Sequence, residues 1–488
     1  MSTIYLEAKR TMPIKARILT APDQIKILLP ACRQLAEQSG CVLPFQSLEQ
    51  PLLWWQHFNS TDGDEFGRKR GRNFFGTRSW FEKIYLVVVE MDDKLVAYAP
   101  FVGSCVSVRS QKEPVRLLNF CADSVLFFYH DLTVDPTIRE AAVATMLASL
   151  TEIIQKENRI LFLGHIPEKS ENLSCLRKVL LDGLPAGMKG GMAKIQSRGG
   201  IYPWTIPDLK KSLKQIADNG HAQPLVKNRI VDLLTTLNRL NSSLIMFPGT
   251  RQKLENTLHD ILETHAGELG DDAERTLGDA IAAQDIKYPY LELPESIDTF
   301  SRSLSASNRY YFKRYMRKLH EAGGSIEKIL PQGLTEQDID DYLQLHLSRW
   351  GNESVAVNES TKSFHVELAQ KLAQRGHLQM FFAKLGDKRV AAHACIDIGD
   401  RREYYFSGRL LDASNLPIGK LLCYQTIIDA IETGMAFYDF GYGGDEYKSV
   451  FTNTAQTLRC LLLSPEDYAY DVNELLPKYE QITFEMPG

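Results

Sequence analysis

The sequence predicts a mixed α/β protein, an α+β chain with mixed sheets, in which two tandem α/β units flank a helical segment. Three observations predict it. Hydrophobic periodicity alternates between two and 3.6 residues along the chain. One order of elements, two hairpin strands, an aromatic strand, a helix and a short strand, occurs twice. The length of 488 residues, at ~150 per domain, asks for two to four domains. With 44% hydrophobic and 24% charged residues the chain has the material for a core, which excludes disordered, collagenous and coiled-coil classes.

In chain order, Tyr85-Leu-Val-Val-Val-Glu-Met, the turn Asp92-Asp93-Lys94 and Leu95-Val-Ala-Tyr-Ala-Pro-Phe read as a hairpin. The aromatic run Leu126-Phe-Phe-Tyr129 reads as a third strand, 138–155 as an amphipathic helix and Ile160-Leu-Phe-Leu163 as a short strand. Residues 207–285 carry helical stripes (226–240, 252–265) and few strand signals, so they form a helical insertion whose stripes need a surface to bury against. The second copy runs through the strands 378–384 and 390–396, joined by Gly386-Asp387-Lys388, then Glu403-Tyr-Tyr-Phe406, a helix over 418–433 and Phe437-Tyr-Asp-Phe440. The expected domains are therefore 1–206, 207–285 and 286–488.

Several function classes have no support. A net charge of −5 offers no global basic balance for DNA. Eight scattered cysteines without a C-x-x-C pair read as reduced thiols, neither disulfide framework nor metal site. No signal-peptide pattern opens the chain and no apolar run reaches the ~18 residues of a membrane helix, so the expectation is a cytoplasmic protein with no membrane span. No G-x-x-x-x-G-K-S/T, post-strand G-x-G-x-x-G, H-E-x-x-H or G-x-S-x-G occurs.

Three stretches carry chemistry. In Asn415-Leu-Pro-Ile-Gly-Lys420 a proline suits the first helical turn, Gly419 permits close backbone approach and Lys420 adds charge, so the helix start suits a pyrophosphate; the bland reading is an ordinary capped helix. The first copy has Arg139-Glu-Ala-Ala at that place, where the acid repels phosphate. Beyond the next strand, Gly441-Tyr-Gly-Gly-Asp-Glu-Tyr-Lys448 is a pliable loop. Glu446 or Asp445 would accept an amine proton and Tyr447 would donate one, with Lys448 beside them; the bland reading is a solvated turn. Asp439, inside the strand, reads as structural. Third, Asn308-Arg-Tyr-Tyr-Phe-Lys-Arg-Tyr-Met-Arg-Lys318 puts Arg309, Lys313 and Arg317 on one helical face that can grip phosphates, against the alternative of a plain solvated face. His346, Trp350 and His393 read as packing residues.

The segments Tyr290-Leu-Glu-Leu-Pro, Leu304-Ser-Ala-Ser-Asn-Arg, Leu345-His-Leu-Ser-Arg-Trp350, Tyr404-Tyr-Phe-Ser-Gly408 and Tyr438-Asp-Phe-Gly-Tyr-Gly-Gly-Asp-Glu-Tyr-Lys448 resemble GNAT-type acyltransferases of the CelD (cellulose-biosynthesis) group, related to the FemAB/FemX transferases. Pro44-Phe-Gln-Ser, Leu53-Trp-Trp-Gln-His-Phe58 and Val96–Phe101 extend the likeness to the N-terminal half, and 207–283 has no counterpart. The resemblance implies two GNAT folds in tandem, the first degenerate, and transfer of an acetyl or other acyl group from acyl-CoA to an amine on a small molecule, glycan or peptide, in polysaccharide or cell-envelope metabolism. It implies that the donor lies at a splay between two parallel strands, with its pyrophosphate on Asn415, Leu416, Pro417, Ile418, Gly419 and Lys420; no metal takes part. Glu446, Asp445, Tyr447 and Lys448 are then the catalytic candidates, and Arg309, Lys313, Arg317, Trp350 and Tyr405 the substrate-binding ones. The alternatives are an aminoacyl-tRNA-dependent transferase of the FemAB kind and a binding or scaffold protein with a decayed site.

Overall fold

A computed structural model of the chain describes residues 14–40, 49–59, 79–107, 112–121, 129–197, 201, 205–218, 224–239, 248–264, 275, 277–279, 281–282, 285–350, 357, 361–410, 415–441, 447–468 and 480–485. The fold is mixed α/β with two mixed sheets, as the sequence predicts. Two compact units contain them. The first runs to Ala193 and takes back Arg459–Leu475 and the chain from Phe484; the second holds Lys194–Leu458 and Leu476–Thr483.

The larger sheet, most of it in the first unit, contains β1 (Ile14–Leu19), β2 (Ser79–Met91), β3 (Lys94–Val106), β4 (Val115–Phe120), β5 (Thr133–Val134), β6 (Ile160–Pro167) and β7 (Met188–Ser197). Two late strands, β15 (Leu458–Pro465) and β16 (Glu480–Phe484), join it in the order β1-β2-β3-β4-β6-β15-β7-β16, with β5 on β3. The β2–β3 hairpin turns on Asp92 and Asp93, both at positive φ (53° and 59°), the twist that two-residue hairpin loops require. Helix Arg139–Glu157 packs Val143, Met146, Leu150 and Ile154 into this unit's core.

Two expectations are revised here. The strand that follows the hairpin and pairs with β3 is β4, which the sequence reading did not mark; of the aromatic run expected as a strand at 126–129, residues 126–128 lie outside the described ones. Polar residues in Val-Arg-Leu-Leu-Asn-Phe hide the strand from a period reading. Both are satisfied in place: Arg116 donates to Glu82 and to the Glu157 carbonyl, and Asn119 accepts from Ser104. The units are also not contiguous in sequence, as 1–206 and 286–488 would be, because β15 slots between β6 and β7. Seven of its eight residues are buried, so it needs neighbours on both edges and cover on both faces. Gly190 (φ 130°) makes room for it: a Cβ there would stand 2.0 Å from the Leu462 carbonyl oxygen.

In the second unit the order is β14-β8-β13-β12-β11-β10-β9, with β8 (Tyr288–Glu292), β9 (Gly324–Ile329), β10 (Leu378–Leu385), β11 (Lys388–Ile398), β12 (Arg401–Arg409), β13 (Phe437–Asp439) and β14 (Ala455–Gln456). Helices Ala306–Glu321 and Ile418–Glu432 share one core with β13, where Phe312 stacks on Tyr424 (4.3 Å) and on Phe451 (5.5 Å). Arg402, fully buried on β12, fastens the second of these helices. It donates to both Asp397 carboxylate oxygens (2.7 Å each), to Asp429 (2.7 Å) and to the Thr426 carbonyl (3.1 Å).

The insertion forms helices Ile206–Asp218, Pro224–Arg239 and Pro248–Thr264. Their stripes bury against one another: Leu209, Leu213, Ile230, Leu237, Leu258 and Ile261 belong to a cluster drawn from residues 201–281. Its two ends meet, since Gln196 bridges Asp285 through backbone and side chain (Nε2 to Oδ1, 2.8 Å). Replacing residues 201–281 by a short Gly-Ser linker is therefore expected to retain a single cooperative thermal transition within a few degrees of the parent. Loss of cooperative unfolding in that variant would show the helices to be part of the sheet's core.

Candidate active site

The parallel pair β12–β13 is short. Arg401 faces Phe437, Arg402 faces Tyr438 and Glu403 faces Asp439; beyond that pair β12 runs on to Arg409 while β13 ends. Phe440 turns away to donate its N–H to the Pro289 carbonyl (2.9 Å). The strands therefore fork at Glu403 and Asp439, and helix Ile418–Glu432 is the crossover between them.

Two groups of proton-handling side chains flank the fork on opposite faces of β12. On one face the Arg401 guanidinium donates to Asp439 Oδ2 (3.0 Å), while Asp439 Oδ1 accepts the Gly441 N–H (2.9 Å), the structural role expected for Asp439. Glu403 lies beside this pair, 1% exposed, and neither of its carboxylate oxygens has a hydrogen-bond partner among the described residues. Burial first, and then the Asp439 charge, push its pKa well above the usual carboxylate range. On the other face Tyr404 packs toward helix Ile418–Glu432. A bulge skips Tyr405 between the pairs Cys395–Tyr404 and Ala394–Phe406, which brings Tyr404 within reach of Ser407. The Tyr404 hydroxyl donates to Ser407 Oγ, and Arg349 Nη1 donates to the same oxygen (2.8 Å). Burial raises the Tyr404 pKa, and a hydrogen bond from Tyr447 offsets part of that rise.

The helix start follows β12 in the chain, and its Ile418 packs with Phe381 and Ala383 of β10 and Val390 and Ala391 of β11. Pro417 is its N-cap rather than a residue of its first turn, and its carbonyl accepts from Lys420 (3.0 Å) and Leu421 (3.1 Å). The Ile418 N–H donates to Leu416 (2.8 Å), and the Gly419 N–H has no partner among the described residues. Asn415, Gly419 and Lys420 are exposed, Leu416 and Pro417 half-buried and Ile418 buried. A Cβ on Gly419 would meet nothing within 4 Å, and no acid stands in the first turn. An open N–H, the positive helix end and the Lys420 ammonium make a surface that fits a pyrophosphate.

The first unit has the same crossover and a closed fork. There β4 pairs with β6 from Leu117–Ile160 to Asn119–Phe162 and ends one residue later. Asn119, at the place of Glu403, is satisfied by Ser104 (2.8 Å) and the Phe120 carbonyl (3.1 Å). Phe120 stacks between Phe101 (5.3 Å) and His130 (5.2 Å). At the second helical position, where the other unit has Gly419, stands Glu140.

The remaining expected residues divide. Asp445 and Glu446 lie outside the described residues, as does the side chain of Trp350. Tyr447 is half-buried, and Lys448 is buried in the turn Lys448–Val450. Tyr405 is buried, with its ring 4.3 Å from that of Phe406. Arg309, Lys313 and Arg317 are exposed on helix Ala306–Glu321, but they do not form a free row. Arg309 donates to the Leu304 carbonyl and Arg317 pairs with Glu321 (3.4 Å). His346 and His393 are buried, and burial holds both at about 3, so they remain neutral packing residues. Glu403 escaped the sequence reading because only its pairing with Asp439 across the fork distinguishes it from any other strand glutamate.

Residues 306–449 match the acetyltransferase (GNAT) domain family. That span runs from helix Ala306–Glu321 through the fork to Tyr447 and Lys448. No curated protein matches the chain in sequence. Among solved structures the chain is similar to L-PGS from Bacillus licheniformis (8% identity, 83% of this chain and 92% of that one, TM-score 0.36). It is similar to a tandem GNAT protein from the clavulanic acid biosynthesis pathway (8% identity, 94% and 100%, TM-score 0.36). A third likeness is to FemX (12% identity, 86% and 93%, TM-score 0.27). Among the described residues no helix is long and apolar enough to cross a membrane, and no group of three His, Cys, Asp or Glu is placed to hold a metal ion.

Proposed function

We propose that the protein is an N-acyltransferase of the CelD type that moves an acetyl or other acyl group from acyl-CoA to an amine of a small molecule, glycan or peptide in the cytoplasm. The match of residues 306–449 to the GNAT domain carries this reading. The open helix start at Gly419 and Lys420 supports a pyrophosphate-bearing donor, and the closed fork of the first unit supports a single site.

The chemistry is attack of the amine nitrogen on the thioester carbon, with formation of the C–N bond and loss of the thiolate. Glu403, once ionised, is the acceptor for the amine proton; a carboxyl whose pKa is lifted by burial is a stronger base than an exposed one. Tyr447, joined to Tyr404, is the donor that returns a proton to the leaving sulfur. The Arg402 clamp fastens the C-terminal half of helix Ile418–Glu432 to β12 through Thr426 and Asp429, so the crossover between the forked strands is held rigid. Isothermal titration with acetyl-CoA is expected to give a dissociation constant in the micromolar range. No binding at millimolar acetyl-CoA would remove the reading.

A further inference from the structure

Helix Ala306–Glu321 has a charge balance opposite to that of the chain. The protein carries −5 overall, whereas this helix holds Arg309, Lys313, Arg314, Arg317 and Lys318 against Glu321 alone. Its apolar residues Phe312 and Leu319 are spent on the core, so the basic face is left outward. Tyr310, Arg314 and Lys318 follow one another at steps of four and form a row along the axis. Arg314 and Lys318 both lie against the Tyr315 ring, at 5.6 and 5.5 Å, which holds their stems down while their charges face out. Tyr310 is 65% exposed beside them.

This row adjoins the helix start of the fork. Lys420 Nζ stands 6.0 Å from the ring of Tyr311, the residue next to Tyr310, and Tyr311 is three residues from Arg314 on the same side of the helix. Whatever carries the donor's phosphate arm out of the fork past Lys420 therefore meets a cationic row with an exposed tyrosine. An exposed Tyr beside an Arg is the composition of a protein-docking surface, and Lys318 adds charge that suits an acidic partner. A phosphate backbone is less well served, because the two arginines of the 309–313–317 row are already engaged by the Leu304 carbonyl and by Glu321.

We propose that this face also docks an acidic carrier protein that presents the acyl group on the same phosphopantetheine arm, so that an acyl carrier protein serves as a donor besides acyl-CoA. This rests on the donor reading given above. Docking leaves the thioester intact; the carrier's acidic surface neutralises Arg314 and Lys318 while its arm reaches the fork.

The test measures binding of acetyl-loaded holo acyl carrier protein and of acetyl-CoA to the full chain and to the double variant Tyr310→Ala/Arg314→Glu. Both positions are exposed, and circular dichroism checks the fold. Carrier affinity is expected to fall about tenfold or more and to lose most of its salt dependence, with acetyl-CoA affinity within twofold of the parent. Equal loss for both donors would assign the row to CoA's own phosphates and overturn the proposal, as would unchanged carrier binding or displacement of the carrier by transfer RNA at lower concentration. Binding of acetyl-CoA but not of the carrier by the parent chain would sink this proposal alone. Binding of neither would sink the donor reading with it.

Discussion

Glu403→Gln is expected to lower the rate of acetyl transfer by about 100-fold or more while acetyl-CoA still binds. The reason is the unpartnered, buried carboxyl at the fork, which must lose its proton before it can take one from the amine. Transfer by the parent should rise with pH as Glu403 ionises, and the glutamine variant should lack that rise. The same shift has a consequence for stability, with the sign as follows. The folded-state pKa is raised above the unfolded one, about 4.3 for a glutamate. The folded chain therefore keeps the proton longer than the unfolded chain, and stability falls as pH climbs through this interval. Glutamine removes the dependence, so the variant should be more favoured over the parent at pH 8 than at pH 5. Thermal unfolding at the two pH values reads the difference. A gap that does not change with pH, together with unimpaired transfer, would show Glu403 to be an ordinary buried side chain.

Gly419→Glu is expected to move binding and stability in opposite directions. The substitution gives the second unit's helix the residue that the first unit already has there, Glu140. Nothing stands within 4 Å of the new Cβ, a glycine is removed from a helical position and an acid is placed at the positive helix end. Each favours the fold, together by about 1 kcal/mol. The carboxylate then occupies the surface assigned to a pyrophosphate, so acetyl-CoA affinity should fall by roughly 2 kcal/mol, about 30-fold. Unfolding and titration on one preparation decide it: a variant that melts as high as the parent and binds acetyl-CoA as well would place the donor elsewhere.

Much of the fold was legible along the chain, because hairpins and helices announce themselves locally. Asp92-Asp93 and Gly386 mark turns that close short loops, and the stripes of 224–239 and 418–432 repeat at helical spacing. The helix start proposed as a cradle was legible for the same reason: residues 415–420 are a contiguous run whose character depends on a helix beginning there. Composition and spacing likewise determined the absence of the common nucleotide and hydrolase motifs. Tertiary structure decided the rest. The strand β15 could be assigned to the first unit only by finding the slot between β6 and β7, nearly three hundred positions away by sequence, into which Gly190 admits it. The polar residues of β4 had to be seen with their partners before the strand made sense. Glu403 acquires its meaning from burial beside Asp439 and from having no hydrogen-bond partner among the described residues. A residue's propensity is written in its own side chain and its near neighbours. Its pKa, its free hydrogen-bonding capacity and its place at a fork are properties of the surroundings that distant segments supply.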